Sequence, residues 1–335
     1  MAHKPLHELT VDEFVDGITG GERHLLSRAI TLVESNRPDH ETMAHAILDR
    51  CLSRGRRSIR IGITGAPGAG KSTFIESFGL EIIRQGLRLA VLAIDPSSKR
   101  SRGSILGDKA RMEQLSVRPE VFIRPTATSG YLGGTSPRTH EAILLCEAAG
   151  YDVIVVETVG VGQSEIVVNS MVDFILLLML PGSGDELQGI KRGIMEIADT
   201  VAITKTDGER TGIAQVSKSD FESALRLLPE KHPGWKRKVL LTSSLEGSGI
   251  SEVWQNVAEF IETMTSSGQL DRNRRDQLRL LLYTIIEDRL KREFFKRPSV
   301  ASLRESVEQK VLSGALSPFS GAMALLDAFT TPGTH

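Results

Sequence analysis

The sequence is poor in cysteine and in net charge, and each shortage excludes a class of protein. The two cysteines, Cys51 and Cys146, belong to no CxxC or Cys/His cluster. This excludes a disulfide framework or a cysteine-based zinc site and predicts two buried thiols. Lysine and arginine number 41 against 42 acidic residues, so no global field draws the chain to nucleic acid or to an anionic membrane. We therefore expect neither as a partner.

Long hydrophobic runs are also missing. The longest, Phe174–Leu180, has the length of a strand, whereas a membrane-spanning helix needs roughly 18 apolar residues or more. The N-terminal residues carry acidic side chains and no apolar core followed by a cleavage site, so they do not form a secretory signal. A soluble protein of the cytoplasm is expected.

The hydrophobic period changes twice along the chain and predicts three segments. Residues 1–57 have apolar positions at helical spacing and predict an N-terminal helical extension. In residues 58–265, short β-rich runs alternate with helical patterns, which predicts a mainly parallel sheet with ligands at the carboxyl ends of its strands. The predicted strands are Ile59–Thr64, Leu89–Ile94, Val121–Ile123, Val153–Val156, Phe174–Leu180, Val201–Thr204 and Val239–Thr242.

Residues 266–335 return to helical patterns. The predicted helices are Asp271–Lys296, Val300–Ser313 and Phe319–Phe329. The first carries an apolar stripe between charged residues, and such a stripe packs against its own domain or against a second subunit. We favour the second subunit, which makes this a C-terminal helical dimerisation segment and the protein a homodimer.

Residues 65–72 fit the phosphate-binding pattern G-x-x-x-x-G-K-[ST] between a predicted strand and a predicted helix. Glycines let the main-chain amides of such a loop wrap around phosphate oxygens at the positive end of the helix. Lys71 is expected to contact the β- and γ-phosphates, and Ser72 to ligate Mg²⁺. The predicted nucleotide-binding residues here are Gly65, Ala66, Pro67, Gly68, Ala69, Gly70, Lys71, Ser72 and Thr73.

This motif completes the predicted fold class: an α/β fold with a mainly parallel P-loop NTPase sheet, helices on both faces, and helical extensions at both ends. A related ATPase class has a second lysine immediately after the first glycine of the loop. Ala66 occupies that position, which argues against that class.

Acidic residues follow the predicted strands near the phosphate loop. Glu157 ends a buried strand, with Gly160 three residues later, and Asp95 ends another strand. In P-loop enzymes such acids hold the Mg²⁺ shell or polarise water, and the glycine amide contacts the γ-phosphate. Asp108 is the candidate acid of a Gly- and Ser-rich loop, where the alternative is helix capping. Lys71, Asp108 and Glu157 are the predicted catalytic residues, and the predicted metal ligands are Ser72, Asp95, Asp108 and Glu157.

A later strand end predicts guanine rather than adenine as the base. Thr204, Lys205 and Asp207 resemble the N-K-x-D element of GTPases. In that element the carboxylate accepts hydrogen bonds from the ring N–H and the exocyclic amine of guanine. Leaving this carboxylate unpaired would cost about 1–3 kcal/mol, which disfavours ATP by roughly ten- to a hundredfold. Thr204 replaces the bracing asparagine amide, so weaker guanine affinity is expected. The loop expected to meet the guanine carbonyl contains Ser243, Ser244 and Leu245.

Taken in order, these motifs resemble the MeaB/ArgK family, P-loop GTPases that assist adenosylcobalamin-dependent acyl-CoA mutases such as methylmalonyl-CoA mutase. The most specific stretches are GITGAPGAGKST, LAIDPSSKRSRGSILGDKARM, FIRPTATSGYLGG, LLCEAAGYDVIVVETVGVGQSE and LMLPGSGDELQGIKRGI. The resemblance implies Mg²⁺ and GTP or GDP as ligands, with no permanently bound cofactor. It also implies a homodimer joined through the C-terminal helices and a switch loop whose polar members are Asp185, Gln188 and Lys191.

The same resemblance implies a GTPase chaperone whose slow hydrolysis is stimulated by the mutase and gates cofactor loading, protection or release. Two alternatives stay open. One is a metal-insertion GTPase of the same class, which would need Cys/His ligands near the nucleotide. The other is a P-loop small-molecule kinase, against which Asp207 argues because most such kinases use ATP.

Overall fold

A computed structural model describes most of the chain. The described residues are 5, 8–54, 57–95, 112–127, 137–158, 168–183 and 192–330. The chain forms two compact units, Met1–Arg275 and Asp276–His335. The division into segments 1–57, 58–265 and 266–335 stays a prediction.

The first unit is built on a parallel sheet, which has seven strands in the described part of the chain. The strands are β1 (Ile59–Gly65), β2 (Leu89–Asp95), β3 (Val121–Ala127), β4 (Val153–Glu157), β5 (Phe174–Met179), β6 (Thr200–Ile203) and β7 (Lys238–Leu241). Their order is β3-β2-β4-β1-β5-β6-β7, and every pairing is parallel. Continuous apolar runs form these strands because helices cover both faces of the sheet. The predicted sheet is confirmed.

Twelve helices occur within the described residues. They are α1 (Val11–Thr19), α2 (Arg23–Glu34), α3 (Pro38–Leu52), α4 (Lys71–Arg84), α5 (Glu113–Ser116), α6 (Pro137–Ala148), α7 (Arg192–Ile197), α8 (Thr211–Arg226), α9 (Ile250–Ser266), α10 (Gln269–Lys296), α11 (Pro298–Leu312) and α12 (Pro318–Thr330). Helices α4 and α9 share one apolar core with the sheet, and α1–α3, α6, α7 and α8 share the other. The predicted fold class is confirmed.

The N-terminal helices pack on one side of the sheet and contact its edge strand β3. A capping box begins α1, in which the Thr10 side chain accepts from the Glu13 amide and the Glu13 carboxylate accepts from the Thr10 amide. Arg124 of the edge strand β3 donates to the Ser27 carbonyl at 2.9 Å and to the Glu34 carboxylate at 2.6 Å. These contacts hold α2 against β3.

A buried ionic network anchors the start of β1, the strand that leads into the phosphate loop. Arg60 donates two hydrogen bonds, at 2.9 and 2.8 Å, to the Glu147 carboxylate, which also accepts from Ser58 at 2.8 Å. Asp173 accepts from the Arg60 amide at 2.9 Å and from the Arg274 guanidinium at 2.6 Å. Burial opposes ionisation of Glu147, but the bonds and charge of Arg60 outweigh it and lower its pKa.

In the second unit, α11 and α12 pack on each other and on the end of α10. The rings of Phe294 and Phe329 lie 5.2 Å apart, and the Ser299 hydroxyl donates to the Ala328 carbonyl at 2.6 Å. An apolar stripe on α10 remains exposed in the chain itself. Its members recur at four-residue spacing: Leu278, Leu282, Ile286 and Leu290.

Both cysteines are buried, as predicted. Burial raises the pKa of Cys51 to about 11 and raises that of Cys146 further, so neither thiol ionises near neutral pH. Among the described helices, none combines the length and the apolar character needed to traverse a lipid bilayer.

Candidate nucleotide site

The phosphate-binding loop connects β1 to α4, as its motif predicts. β1 ends at Gly65 and α4 begins at Lys71. A Cβ on Gly65 would lie 2.4 Å from the Leu178 carbonyl oxygen of the neighbouring strand, so only glycine allows this approach. Gly68 and Gly70 have φ angles of 79° and 80°, which disfavour residues with a side chain. The backbone conformation of this loop therefore requires glycine at these three positions, whether or not a ligand is bound.

Lys71 and Ser72 begin α4 and face the carboxyl ends of the central strands. The Lys71 ammonium donates to the Gly65 carbonyl at 2.9 Å and lies 3.3 Å from the Ala66 carbonyl. The Ser72 hydroxyl donates to Glu157 Oε1 at 3.3 Å, and the Glu157 residue is only 7% exposed. The loop cation, the hydroxyl and the strand-end acid thus lie together at one edge of the sheet.

The loop predicted to read the base, residues 204–207, which we call the base-reading loop, is tied directly to the phosphate loop. The buried Thr204 hydroxyl donates to the Ala69 carbonyl at 2.7 Å, with the Met179 carbonyl at 3.2 Å. Lys205 has a φ of 57°, which is rare for a residue with a side chain. Its aliphatic chain passes within 3.5 Å of where a Cβ on Gly70 would lie. The Thr204 hydroxyl therefore links the two loops, as the asparagine amide of the N-K-x-D element is expected to do. The expected loss of guanine affinity stays a prediction.

Asp207 is held by the loop that follows β7. The Ser243 hydroxyl donates to Asp207 Oδ1 at 2.9 Å. The Ser244 carbonyl accepts from the Ser77 hydroxyl of α4 at 3.1 Å. Gly249 closes this loop, and a Cβ there would lie 2.0 Å from the Leu241 carbonyl oxygen. Contacts within the protein therefore orient Asp207, and the Ser77 hydrogen bond anchors Ser244 to α4.

These three loops enclose a cavity of about 570 Å³. Its size lies in the range of small-molecule binding sites. It is lined by Ala69, Gly70, Thr73, Thr204, Lys205, Asp207, Glu209, Arg210, Ser244 and Leu245. Residues that are far apart in sequence thus meet as the motif order predicts, although their roles in binding stay predictions.

Sequence reasoning missed three neighbours of this cavity. Glu209 and Arg210 line it from a 3₁₀ turn directly after Asp207, and Ser77 supports the Ser244 loop from α4. Glu209 and Arg210 could have been found from sequence, because they lie two and three residues after Asp207. No motif marks Ser77.

Several predicted site residues fall where the structure gives no side-chain account. Asp95 ends β2, two residues after the position that pairs with Glu157, but only its backbone is described. The remaining predicted residues lie outside the described ranges: Asp108, Gly160, Asp185, Gln188 and Lys191.

Known proteins are similar in sequence to this chain along most of its length. Residues 26–299 match the family described as methylmalonyl Co-A mutase-associated GTPase MeaB. GTPase ArgK of Escherichia coli strain K12 is 43% identical over 326 residues, which cover 97% of this chain and 98% of ArgK. A Mus musculus protein named methylmalonic aciduria type A homolog, mitochondrial, is 46% identical over 329 residues. These cover 95% of this chain and 79% of the mouse protein.

A solved structure, described as the LAO/AO transport system kinase, has a similar fold. Its TM-score is 0.77 at 37% sequence identity, and the match covers 98% of this chain and 100% of that one. The similarity thus extends through the sheet, the phosphate loop and the terminal helices.

Proposed function

Because the chain belongs to the methylmalonyl-CoA mutase-associated GTPase family, and is therefore a P-loop GTPase, we propose that GTP binds across the phosphate loop and the 570 Å³ cavity. The observation that carries this proposal is the meeting of Ala69, Thr204, Asp207 and Ser244 around one cavity. Asp207 reads the guanine edge, and the Ser244 loop meets the guanine carbonyl. The amides of residues 65–72 hold the phosphates.

The residues present suit a magnesium ion. The Ser72 hydroxyl and the Glu157 carboxylate lie 3.3 Å apart and offer the hard oxygen donors that Mg²⁺ prefers. Such an ion takes few protein ligands, because nucleotide phosphates and water complete its shell. We propose that Ser72 and Glu157 hold the ion, and that Asp95 and Asp108 also belong to its coordination shell, directly or through water. When bound, it would neutralise charge that develops between the β- and γ-phosphates.

The reaction is the hydrolysis of GTP by water, which yields GDP and phosphate. Lys71 places a positive charge against the β- and γ-phosphate oxygens, where negative charge develops during transfer. Glu157 stands at the end of β4 beside the phosphate loop. It can orient water toward the phosphate, either directly or through the metal shell. We propose that the loop acid Asp108 and the Gly160 amide also act at the γ-phosphate and its metal ion.

We propose that hydrolysis serves an adenosylcobalamin-dependent acyl-CoA mutase and gates loading, protection or release of its cofactor. The family description and the name of the mouse relative support this assignment. The switch residues Asp185, Gln188 and Lys191 would relay the nucleotide state. Within the described ranges no group of three His, Cys, Asp or Glu side chains is placed to hold a metal ion, so nothing there favours the metal-insertion alternative.

We propose that the active form is a homodimer. The stripe on α10 exposes 50% of Leu278, 55% of Leu282 and 60% of Leu290. Apolar residues at four-residue spacing form one continuous helix face, and such a face is typical of helix-to-helix association. A second copy that presents the same stripe would cover it.

The test is GTP hydrolysis by the purified chain, alone and with adenosylcobalamin-dependent methylmalonyl-CoA mutase. We expect slow phosphate release that accelerates about tenfold or more with mutase, in line with the effect of a partner that completes a P-loop site. The Lys71→Ala variant should lose both rates, which excludes a contaminating phosphatase. An unchanged rate with mutase would contradict the chaperone assignment and leave the GTPase assignment intact.

A further inference from the structure

A second concave surface lies at the sheet edge formed by β7, in the first unit. It encloses about 680 Å³. We call it the β7 groove. Its lining residues are Lys218, Glu222, Leu225, Arg226, Leu228, Pro229, Glu230, Trp235, Lys236, Arg237, Lys238, Val239 and Leu240. One wall is a single face of α8, and the floor is β7 itself.

The sheet has two edge strands, β3 and β7, and the groove lies at the second. Among the described strands, β7 pairs with β6 alone. The Thr242 amide donates to the Ile203 carbonyl at 2.8 Å. The alternation of a parallel strand then directs the N–H and C=O of Val239 away from β6. Such outward main-chain groups are a template for an added strand.

The β7 groove has more basic than acidic lining residues, although Lys218 is paired with Glu222 at 3.9 Å. Five of its lining residues are lysine or arginine and two are glutamate. Lys238 is paired with Glu259, and Arg237 donates to the main-chain carbonyls of residues 196 and 229. Arg226 and Lys236 are exposed and contact no carboxylate in the described part of the chain. The groove therefore holds an excess of positive charge although the whole chain is nearly neutral.

The positive charge of the β7 groove favours some binding partners over others. A second copy that paired its own β7 with this one would bring like charges together, which disfavours that association. A bare anion would contact the basic side chains but not the apolar lining residues Leu225, Leu228 and Leu240. An extended peptide with alternating acidic and apolar side chains matches the cations, the apolar lining residues and the outward main-chain groups together.

We propose that the β7 groove binds an extended acidic segment of a partner protein, which adds a strand to the edge of the sheet. The site is separate from the cavity at Asp207, and none of its lining residues is shared with that cavity. Main-chain hydrogen bonds would supply affinity, and the cations would select acidic partners.

The probe is a fluorescein-labelled synthetic peptide of alternating glutamate and valine with blocked ends, titrated with the full chain by fluorescence polarisation. A lysine–valine peptide controls for charge, and a glutamate–valine peptide with N-methylated amides controls for strand addition. We expect the acidic peptide to bind about tenfold tighter than either control. In hydrogen exchange, the Val239 amide should gain protection when this peptide is bound.

The variant R226E/K236E reverses two exposed charges in the groove, and R118E/K310E reverses two exposed charges elsewhere. The first should weaken peptide binding by about tenfold and the second by less than about twofold. Unchanged GDP binding in both would show that they fold. Equal binding of the N-methylated peptide, or displacement by inorganic pyrophosphate alone, would overturn strand addition in favour of an anion site. Failure of the acidic peptide to bind would overturn the proposal outright.

Discussion

Replacing Thr204 with valine removes one hydroxyl and keeps the branched shape of the side chain. That hydroxyl is buried and donates to the Ala69 carbonyl at 2.7 Å, which ties the base-reading loop to the phosphate loop. A hydrogen bond of this kind contributes about 1 kcal/mol net, and a carbonyl left unpaired costs about 1–3 kcal/mol. We expect GDP binding to weaken by about 1–2 kcal/mol, which is roughly a five- to thirtyfold rise in Kd.

The assay is titration of a fluorescent GDP analogue with Mg²⁺ present, alongside thermal unfolding without nucleotide. Thr204→Ser keeps the hydroxyl and loses the methyl group, so its Kd should stay within about threefold of that of the unmodified chain. A loss of 1 kcal/mol in stability lowers the Tm of a unit of this size by about 2–4 °C. Both variants can lower the Tm, but only the valine variant should lose nucleotide affinity.

The result that would refute this reasoning is a valine variant that binds GDP within about twofold of the unmodified chain while its Tm falls. The hydroxyl would then stabilise the fold without organising the site. An equal loss of affinity in the serine variant would likewise assign the effect to packing of the methyl group.

Three further predictions concern the scaffold and the loops. Glu147→Gln should lower the free energy of unfolding in urea by about 3–5 kcal/mol, because the buried Arg60 charge then lacks its counter-charge. Since the folded pKa of Glu147 is lowered from 4.5, this stabilisation is present above about 4.5 and is lost as pH falls through the folded value, so the two proteins should converge in acid. Gly249→Ala should weaken GDP binding, measured by the same titration, because its Cβ would meet the Leu241 carbonyl at 2.0 Å. Lys71→Ala should slow GTP hydrolysis, measured as phosphate release, by about a hundredfold or more, since it removes charge beside the phosphates.

The sheet could be predicted from sequence because buried parallel strands give continuous apolar runs between helical patterns. The largest boundary error is in β3, which was expected to end at Ile123 and continues to Ala127. Pro125 interrupts the pattern, and proline is normally excluded from strands. It is tolerated here because β3 is an edge strand, where one side of the backbone needs no strand partner.

The phosphate loop and Asp207 could be predicted because local backbone requirements and base chemistry fix their residue types. The brace from Thr204 to Ala69 could not, since it joins positions 135 residues apart. The same limit applies to the pairing of Arg60 with Glu147, which sequence alone presents as two ordinary surface charges. Such contacts depend on which loops and strands the fold makes neighbours.

Asp207 is the residue that we propose selects guanine, and the other assignments in the base site depend on it. The direct measurement is the ratio of GDP to XDP affinity in the unmodified chain and in the Asp207→Asn variant. Asparagine can accept a hydrogen bond from the ring N–H and donate one to the second carbonyl of xanthine, whereas aspartate accepts two hydrogen bonds from guanine. We predict that GDP binds more tightly to the unmodified chain and XDP more tightly to the variant. The same ratio in both proteins would contradict the assignment of the base site.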